Sequence, residues 1–275
     1  MRFHKNVGVL LAVIASCGLF RCHLATDTQD PLTADTGVLD PPYAIDGLEE
    51  RFAQLVAHPS TDTLEQLFSE WNASVPPNTP AFIGTNDTIS SVFAVYRAFY
   101  EPYDLLSKGA WEWGNGLNED SKYVGVQNKI LYAVSPDGSA KTGMKYDSIL
   151  DFRPPLDIEQ GKVLYLTPTY ASALLHFLGA GSTEAGTPNI MDPSRPDSTS
   201  ERRYAMIRPF LPILHGHWGG YWHLETHPEV YAIVFDPALT TAEVNFRVGY
   251  QGGAAILKRS GRDWHIESSK ATWIE

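Results

Sequence analysis

The sequence predicts an α+β fold in which N-terminal helices are followed by a curved antiparallel β-sheet, an elaborated cone-like arrangement. Apolar residues recur at helical spacing early in the chain, as at Leu48, Phe52 and Leu55. The last third instead alternates apolar with polar residues, as from Val244 to Tyr250, and turn-forming glycines separate the runs. Helices followed by strands, without regular alternation of the two, indicate the α+β class.

The N-terminus has the composition of an export signal. Basic residues precede an apolar run over residues 7–15, which is shorter than the ~20 residues of a membrane-spanning helix but fits a secretory signal. Two small residues then precede Cys17. This pattern resembles the lipobox of bacterial lipoproteins, and the resemblance implies removal of residues 1–16 and acylation of Cys17 by palmitate-like chains. Cleavage at a later site, such as after Ala25, is one alternative, and a buried apolar strand or short helix that happens to contain Cys17 is the other.

Acylation of Cys17 would anchor the protein to a membrane of the cell envelope, because two or three acyl chains hold a protein stably where one does not. Residues 17–42 are rich in Thr, Asp and Pro, and we expect them to form a flexible tether. Residues 43–275 are then expected to form a single domain, with a subdivision near residues 180–205 left open.

The net charge and the positions of the cysteines exclude several classes of partner and site. The formal net charge of −11 becomes −13 when Arg2 and Lys5 are removed with the signal. An acidic surface repels phosphates, so nucleic acid is excluded as a partner. Neither cysteine lies in the predicted domain, which excludes a disulfide and a cysteine nucleophile there.

Three helices are predicted between residues 48 and 100. The first covers about residues 48–56, where apolar residues share one face. The second starts at Asp62-x-x-Glu65, which resembles a capping box, and ends before Pro76. The third runs from about residue 87 to residue 100 and is interrupted near a proline.

The middle of the chain predicts strands over residues 123–134 and 148–152, with a turn at residues 135–138 between them. Thr167, Pro168 and Gly179 occupy the positions of an N-cap, a first helical residue and a helix stop. They predict a helix over about residues 170–178, which is followed by a long polar stretch.

The C-terminal third predicts consecutive antiparallel hairpins. Residues 229–235 are apolar on both faces, as in a central strand, and residues 244–250 alternate as in a half-buried strand. Turns are expected at residues 251–253 and 260–263. The pattern consists of Ala242-x-Val244-x-Phe246, then Gly252-Gly253, then Gly261-x-x-Trp264-x-Ile266.

That pattern resembles the nuclear transport factor 2-like and related cystatin-like α+β folds over roughly residues 205–275. The resemblance implies a curved sheet that wraps a helix and leaves a conical cavity. The helices and strands between residues 45 and 180 exceed what these folds usually carry, which implies either an elaborated fold or a second lobe.

A histidine-rich segment is the densest group of chemically active residues. Four of the nine histidines fall within thirteen residues, at His215, His217, His223 and His227. With Glu225 as base or fifth ligand, they permit a site for zinc or another transition metal. The alternative is that they are sheet residues at a cavity rim, where Tyr221, Trp222 and Glu225 would contact a ligand. No cofactor-binding motif is present elsewhere.

The metal site depends on the register of the hairpin that carries these residues. A two-residue turn at Gly219-Gly220 pairs His217 with Trp222 and puts His223 on the opposite face, which splits the site. A three-residue loop pairs His215 with His223, which assembles it. Glycine pairs favour the two-residue turn.

Three functions are therefore weighed. The first is non-catalytic binding of a small molecule, glycan or protein through the C-terminal sheet. The second is a metal-dependent, hydrolase-like enzyme that uses the histidine cluster. The third is a scaffold subunit of an envelope complex, which predicts an exposed apolar patch instead of a pocket.

Overall fold

The structure is a computed structural model that describes residues 43, 45–108, 118, 121–158, 161–179, 198–215 and 222–274. The predicted signal and tether, with Cys17, lie outside these residues, as do His217 and Tyr221. The described residues belong to one compact unit, which has the α+β class that the sequence predicts. The domain boundary at residue 43 and the subdivision stay predictions.

The helices are α1 (Leu48–Ala57), α2 (Thr61–Ser74), α3 (Pro80–Ile83), α4 (Asp87–Phe99), α5 (Pro168–Phe177) and α6 (Ser198–Ile207). A short 3-10 helix covers Leu106–Lys108. The predicted capping box of α2 is wrong, because the N-cap is Ser60, whose hydroxyl accepts from the backbone N–H of Thr63 at 3.2 Å. None of the described helices has the length and apolar content needed to cross a bilayer.

The strands of the large sheet are β2 (Ile130–Val134), β3 (Asp147–Ile149), β7 (Glu229–Phe235), β8 (Thr241–Val248), β9 (Gln251–Ser260) and β10 (Asp263–Ile274). Their order is β10-β9-β8-β7-β2-β3. The predicted antiparallel meander is confirmed for β7 to β10, but β2 pairs with β7 in parallel, so the sheet is mixed. The turn between β8 and β9 is Gly249-Tyr250, two residues before the predicted turn, because Gly252 and Gly253 belong to β9.

Two small sheets complete the described strands. β1 (Tyr123–Gln127) pairs in parallel with β4 (Lys162–Leu166), and β5 (Leu214–His215) pairs with β6 (Trp222–His223). The single strand predicted over residues 123–134 is therefore two strands in different sheets. Its change of sheet occurs at Asn128, whose backbone oxygen accepts from the N–H of Phe152 at 2.8 Å.

Aromatic rings join the helices to the sheets. Phe99 of α4 packs against Phe246 of β8 with ring centroids 5.0 Å apart. Trp71 of α2 stacks on Tyr170 of α5 at 4.4 Å, and its indole N–H donates to the backbone oxygen of Tyr165 at 3.1 Å. These contacts place α2 over the small parallel sheet and α4 over the large one.

Candidate functional site

The hairpin register separates the predicted metal ligands. Leu214 pairs with His223, and His215 pairs with Trp222. Both registers weighed from the sequence are therefore wrong by at least one residue, and positions 215 and 223 fall on opposite faces of this ladder. Residues 216–221, which connect the two strands in sequence, lie outside the described residues.

Trp222 packs into the domain. Its ring lies 5.3 Å from the ring of Tyr204 in α6, and the hydroxyl of Tyr204 donates to the backbone oxygen of Ile213 at 3.1 Å. This contact fixes the hairpin against α6. The predicted ligand-binding role of Trp222 stays a prediction, as does that of Tyr221.

Beyond β6, the chain brings several ionisable side chains together at the start of β7. We call them the His223–Glu229 cluster; its members are His223, Glu225, His227, Glu229 and Arg247. The imidazole rings of His223 and His227 have centroids 6.3 Å apart, and Nδ1 of His223 lies 3.9 Å from Oε2 of Glu229. Glu229 and Arg247 are cross-strand partners on β7 and β8. The sequence-predicted residues 223, 225 and 227 thus lie in one cluster, to which Glu229 and Arg247 are added.

Burial sets the protonation states in this cluster. It raises the pKa of Glu229 to about 7, with the charge of Glu225 adding to the rise and Arg247 opposing it. Burial also raises the pKa of Glu225. Burial, together with the nearby charge of His223, lowers the pKa of His227 to about 3. At neutral pH His227 is uncharged, while Glu229 is present in both its protonated and its ionised form.

The neutral state of His227 agrees with its contacts. Its ring is 1% exposed, and Nδ1 lies 3.2 Å from the backbone oxygen of Arg247, so Nδ1 carries the proton and donates. Among the described residues, Nε2 of His227 and Oε2 of Glu229 are buried without a hydrogen bond. Oε2 of Glu229 can therefore take up or release a proton without first breaking a hydrogen bond.

The segment that carries the cluster is fixed against β1. Thr226 forms two bonds with Gly125: its N–H donates to the backbone oxygen and its hydroxyl accepts from the N–H, each at 2.8 Å. A Cβ atom at Gly125 would lie 2.7 Å from the backbone oxygen of Leu224, so only glycine permits this approach. The side chain of Gln127 donates to the backbone oxygen of Val230 at 2.7 Å and accepts from its N–H at 3.0 Å.

The described part of the chain contains no group of three or more His, Cys, Asp or Glu side chains close enough to hold a metal ion. His223 and Glu229 are close enough to supply two metal ligands, an imidazole and a carboxylate. The described residues supply no third ligand beside them. The metal site that includes His217 stays a prediction, because His217 lies outside the described residues.

A second site was not predicted from the sequence. A cleft of about 590 Å³ lies between the C-terminal half of α4, residues 156–158 and the turn between β9 and β10. It is lined by Ala94, Arg97, Ala98, Tyr100, Glu101, Pro102, Tyr103, Leu156, Asp157, Ile158, Arg262, Asp263 and Trp264. We call it the α4 cleft. Its volume is in the range of small-molecule sites, ~300–1,000 Å³.

Comparison with known proteins adds no relative. No family model matches the chain, and neither a curated protein nor a solved structure matches it. The resemblances to lipoprotein signals and to the nuclear transport factor 2-like folds stay predictions from the sequence pattern. Function is therefore inferred from the α4 cleft and the His223–Glu229 cluster.

Proposed function

We propose that this chain is a lipid-anchored protein of the cell envelope that binds a small ligand in the α4 cleft without turnover. The observation that carries the proposal is the cleft itself, whose volume of about 590 Å³ suits a small molecule. One wall is formed by α4, and the others are formed by residues 156–158 and the β9–β10 turn of the C-terminal sheet.

The membrane anchor is supported by the sequence pattern that ends at Cys17. In cells, Cys17→Ser should move the protein from the membrane fraction to the soluble fraction and abolish incorporation of labelled palmitate. Cys22→Ser is the matched control, because Arg21 precedes Cys22 where the lipobox pattern requires a small residue. A Cys17→Ser protein that stays in the membrane fraction would refute the anchor.

Binding in the cleft can be tested by filling it. Ala98 is half-buried on the cleft side of α4, so Ala98→Phe should block the cleft and abolish ligand binding in a screen by calorimetry. Ala53→Phe, at an exposed position of α1, is the control that should bind normally. Unchanged binding by a folded Ala98→Phe protein would show that the ligand binds elsewhere.

The second candidate function is a metal-dependent, hydrolase-like enzyme that uses the predicted ligands His217, His223 and His227; the predicted ligand His215 is left out, because the hairpin register places it on the face opposite His223. One observation favours it: His223 and Glu229 lie 3.9 Å apart, and Glu229 has a pKa near neutrality, as general acid–base chemistry requires. Mass spectrometry of the untagged full chain, beside His217→Ala/His223→Ala, tests it. Stoichiometric metal that the double variant loses would favour the enzyme over the binding protein, and metal-free folded protein would exclude it.

A further inference from the structure

The rim of the α4 cleft carries charges of both signs. Arg97 of α4 and Arg262 of the β9–β10 turn supply two guanidinium groups, and Glu101, Asp157 and Asp263 supply three carboxylates. All five side chains belong to exposed residues. Within the part of the chain that the structure describes, none of the five forms an ion pair. The charges line one cleft, yet they do not neutralise each other by direct contact.

Apolar side chains also contribute to the lining of the cleft, although polar atoms make up most of the surface that it exposes. Its half-buried apolar residues are Ala94, Ala98, Leu156 and Ile158, and the buried Trp264 adds an aromatic residue to the lining. Alanine at both α4 positions leaves room above the helix, since a larger side chain there would occupy the cleft. The aliphatic part of a ligand in this space would contact these few apolar side chains.

We infer that the α4 cleft binds a zwitterionic small molecule of the amino-acid and short-peptide class. The inference rests on the proposed function, because it names the ligand of the same cleft. A ligand with only negative charge would meet the three carboxylates, and one with only positive charge would meet the two guanidinium groups. The carboxylate of a zwitterionic ligand can bind Arg97 or Arg262, in the bidentate geometry that guanidinium favours. Its ammonium group can bind one of the acidic side chains.

The test is calorimetric titration of the full chain with leucyl-leucine and its blocked forms. N-acetylation leaves only the carboxylate, amidation leaves only the ammonium, and both together leave a neutral molecule with the same apolar body. We expect leucyl-leucine to bind most tightly and each block to weaken binding by about tenfold, as expected for the loss of one hydrogen-bonded charge.

Variants of the rim assign the charges. Arg262→Gln should weaken binding of the probes that carry a free carboxylate by about tenfold and leave the amidated probe unchanged. Asp157→Asn should weaken binding of the probes that carry a free ammonium. Arg208→Gln is the matched control, because Arg208 is exposed near the end of α6 and does not line the cleft.

The outcomes separate the inference from the proposed function. If the doubly blocked peptide binds as tightly as leucyl-leucine, the zwitterionic class is wrong although the cleft binds a ligand. If only an uncharged disaccharide binds, and Ala98→Phe abolishes that binding, the class is again wrong and the binding function stands. If none of these probes and no member of a wider screen binds, the proposed function fails as well.

Discussion

Replacing Glu229 by glutamine should stabilise the protein above neutral pH and have a smaller effect in acid. Burial raises the pKa of Glu229 from its ordinary 4.5 to about 7 in the folded protein. Because the folded pKa is the higher one, ionisation of Glu229 opposes folding. The penalty is absent below pH 4.5, grows as the pH rises and is complete above about pH 7. At ~1.4 kcal/mol per pKa unit, it amounts to about 3 kcal/mol.

The contribution of His227 to folding stability depends on pH in the opposite direction, which provides a second check. Its folded pKa of about 3 is below the ordinary 6.5, so protonation of His227 opposes folding and stability is lost as the pH falls below 6.5. Between pH 4.5 and 6.5 the unfolded chain holds a proton on His227, and the folded chain holds one on Glu229. In this pH range, the changes of unfolding free energy with pH that arise from His227 and from Glu229 therefore cancel. Glu229→Gln removes the cancellation, so the stability of the variant should rise with pH through this window.

The assay is urea unfolding of the full chain at a series of pH values, with free energies from linear extrapolation. Glu267→Gln is the matched control, because Glu267 is exposed on β10 of the same sheet. The stability gained by Glu229→Gln over the parent protein should be about 3 kcal/mol larger near pH 8 than near pH 4. A difference below about 1 kcal/mol, or an equal one in Glu267→Gln, would refute the reasoning.

Three further substitutions test the framework around the site. Gln127→Ala should destabilise by about 2–4 kcal/mol in chemical denaturation, because it leaves two buried backbone groups of β7 without their bonds. Gly252→Ala places a Cβ atom 1.8 Å from the indole of Trp273, so it should destabilise by at least about 1 kcal/mol, and Trp273→Ala in the same chain should recover part of the loss. Arg153→Met should lower the thermal midpoint, because the buried guanidinium donates to both carboxylate oxygens of Asp151 at 2.8 Å; an unchanged midpoint would contradict this role.

The C-terminal hairpins could be predicted because their determinants are local. Gly261 has a φ of 63° in a two-residue turn that joins β9 to β10, and the alternation on either side fixes which residues face the helices. The pairing of β1 with β4 could not be predicted in this way. The two strands run parallel and are separated in sequence by residues 128–161, and no residue near either strand specifies its partner.

The sequence predicted part of one candidate site and none of the other, because their residues differ in how far apart they lie in the sequence. The His223–Glu229 cluster was found in part, because four of its members lie within residues 223–229; Arg247 joins them only through the cross-strand register with Glu229. The α4 cleft was missed because its walls come from three distant segments, represented by Ala98, Asp157 and Arg262. Each is an ordinary surface residue within its own segment, and only the tertiary fold brings them together.

The parallel contact between β2 and β7 constrains the order in which the chain can assemble. Strands β7 to β10 are neighbours in sequence and can form by successive hairpins, whereas Leu131 of β2 pairs with Ala232, about a hundred residues later. While the protein is being synthesised, β2 and β3 have no sheet to join until β7 has emerged. Any chain that stops before β7 therefore leaves the edge of β2 without its partner, and we expect such fragments to aggregate rather than to fold as a smaller domain.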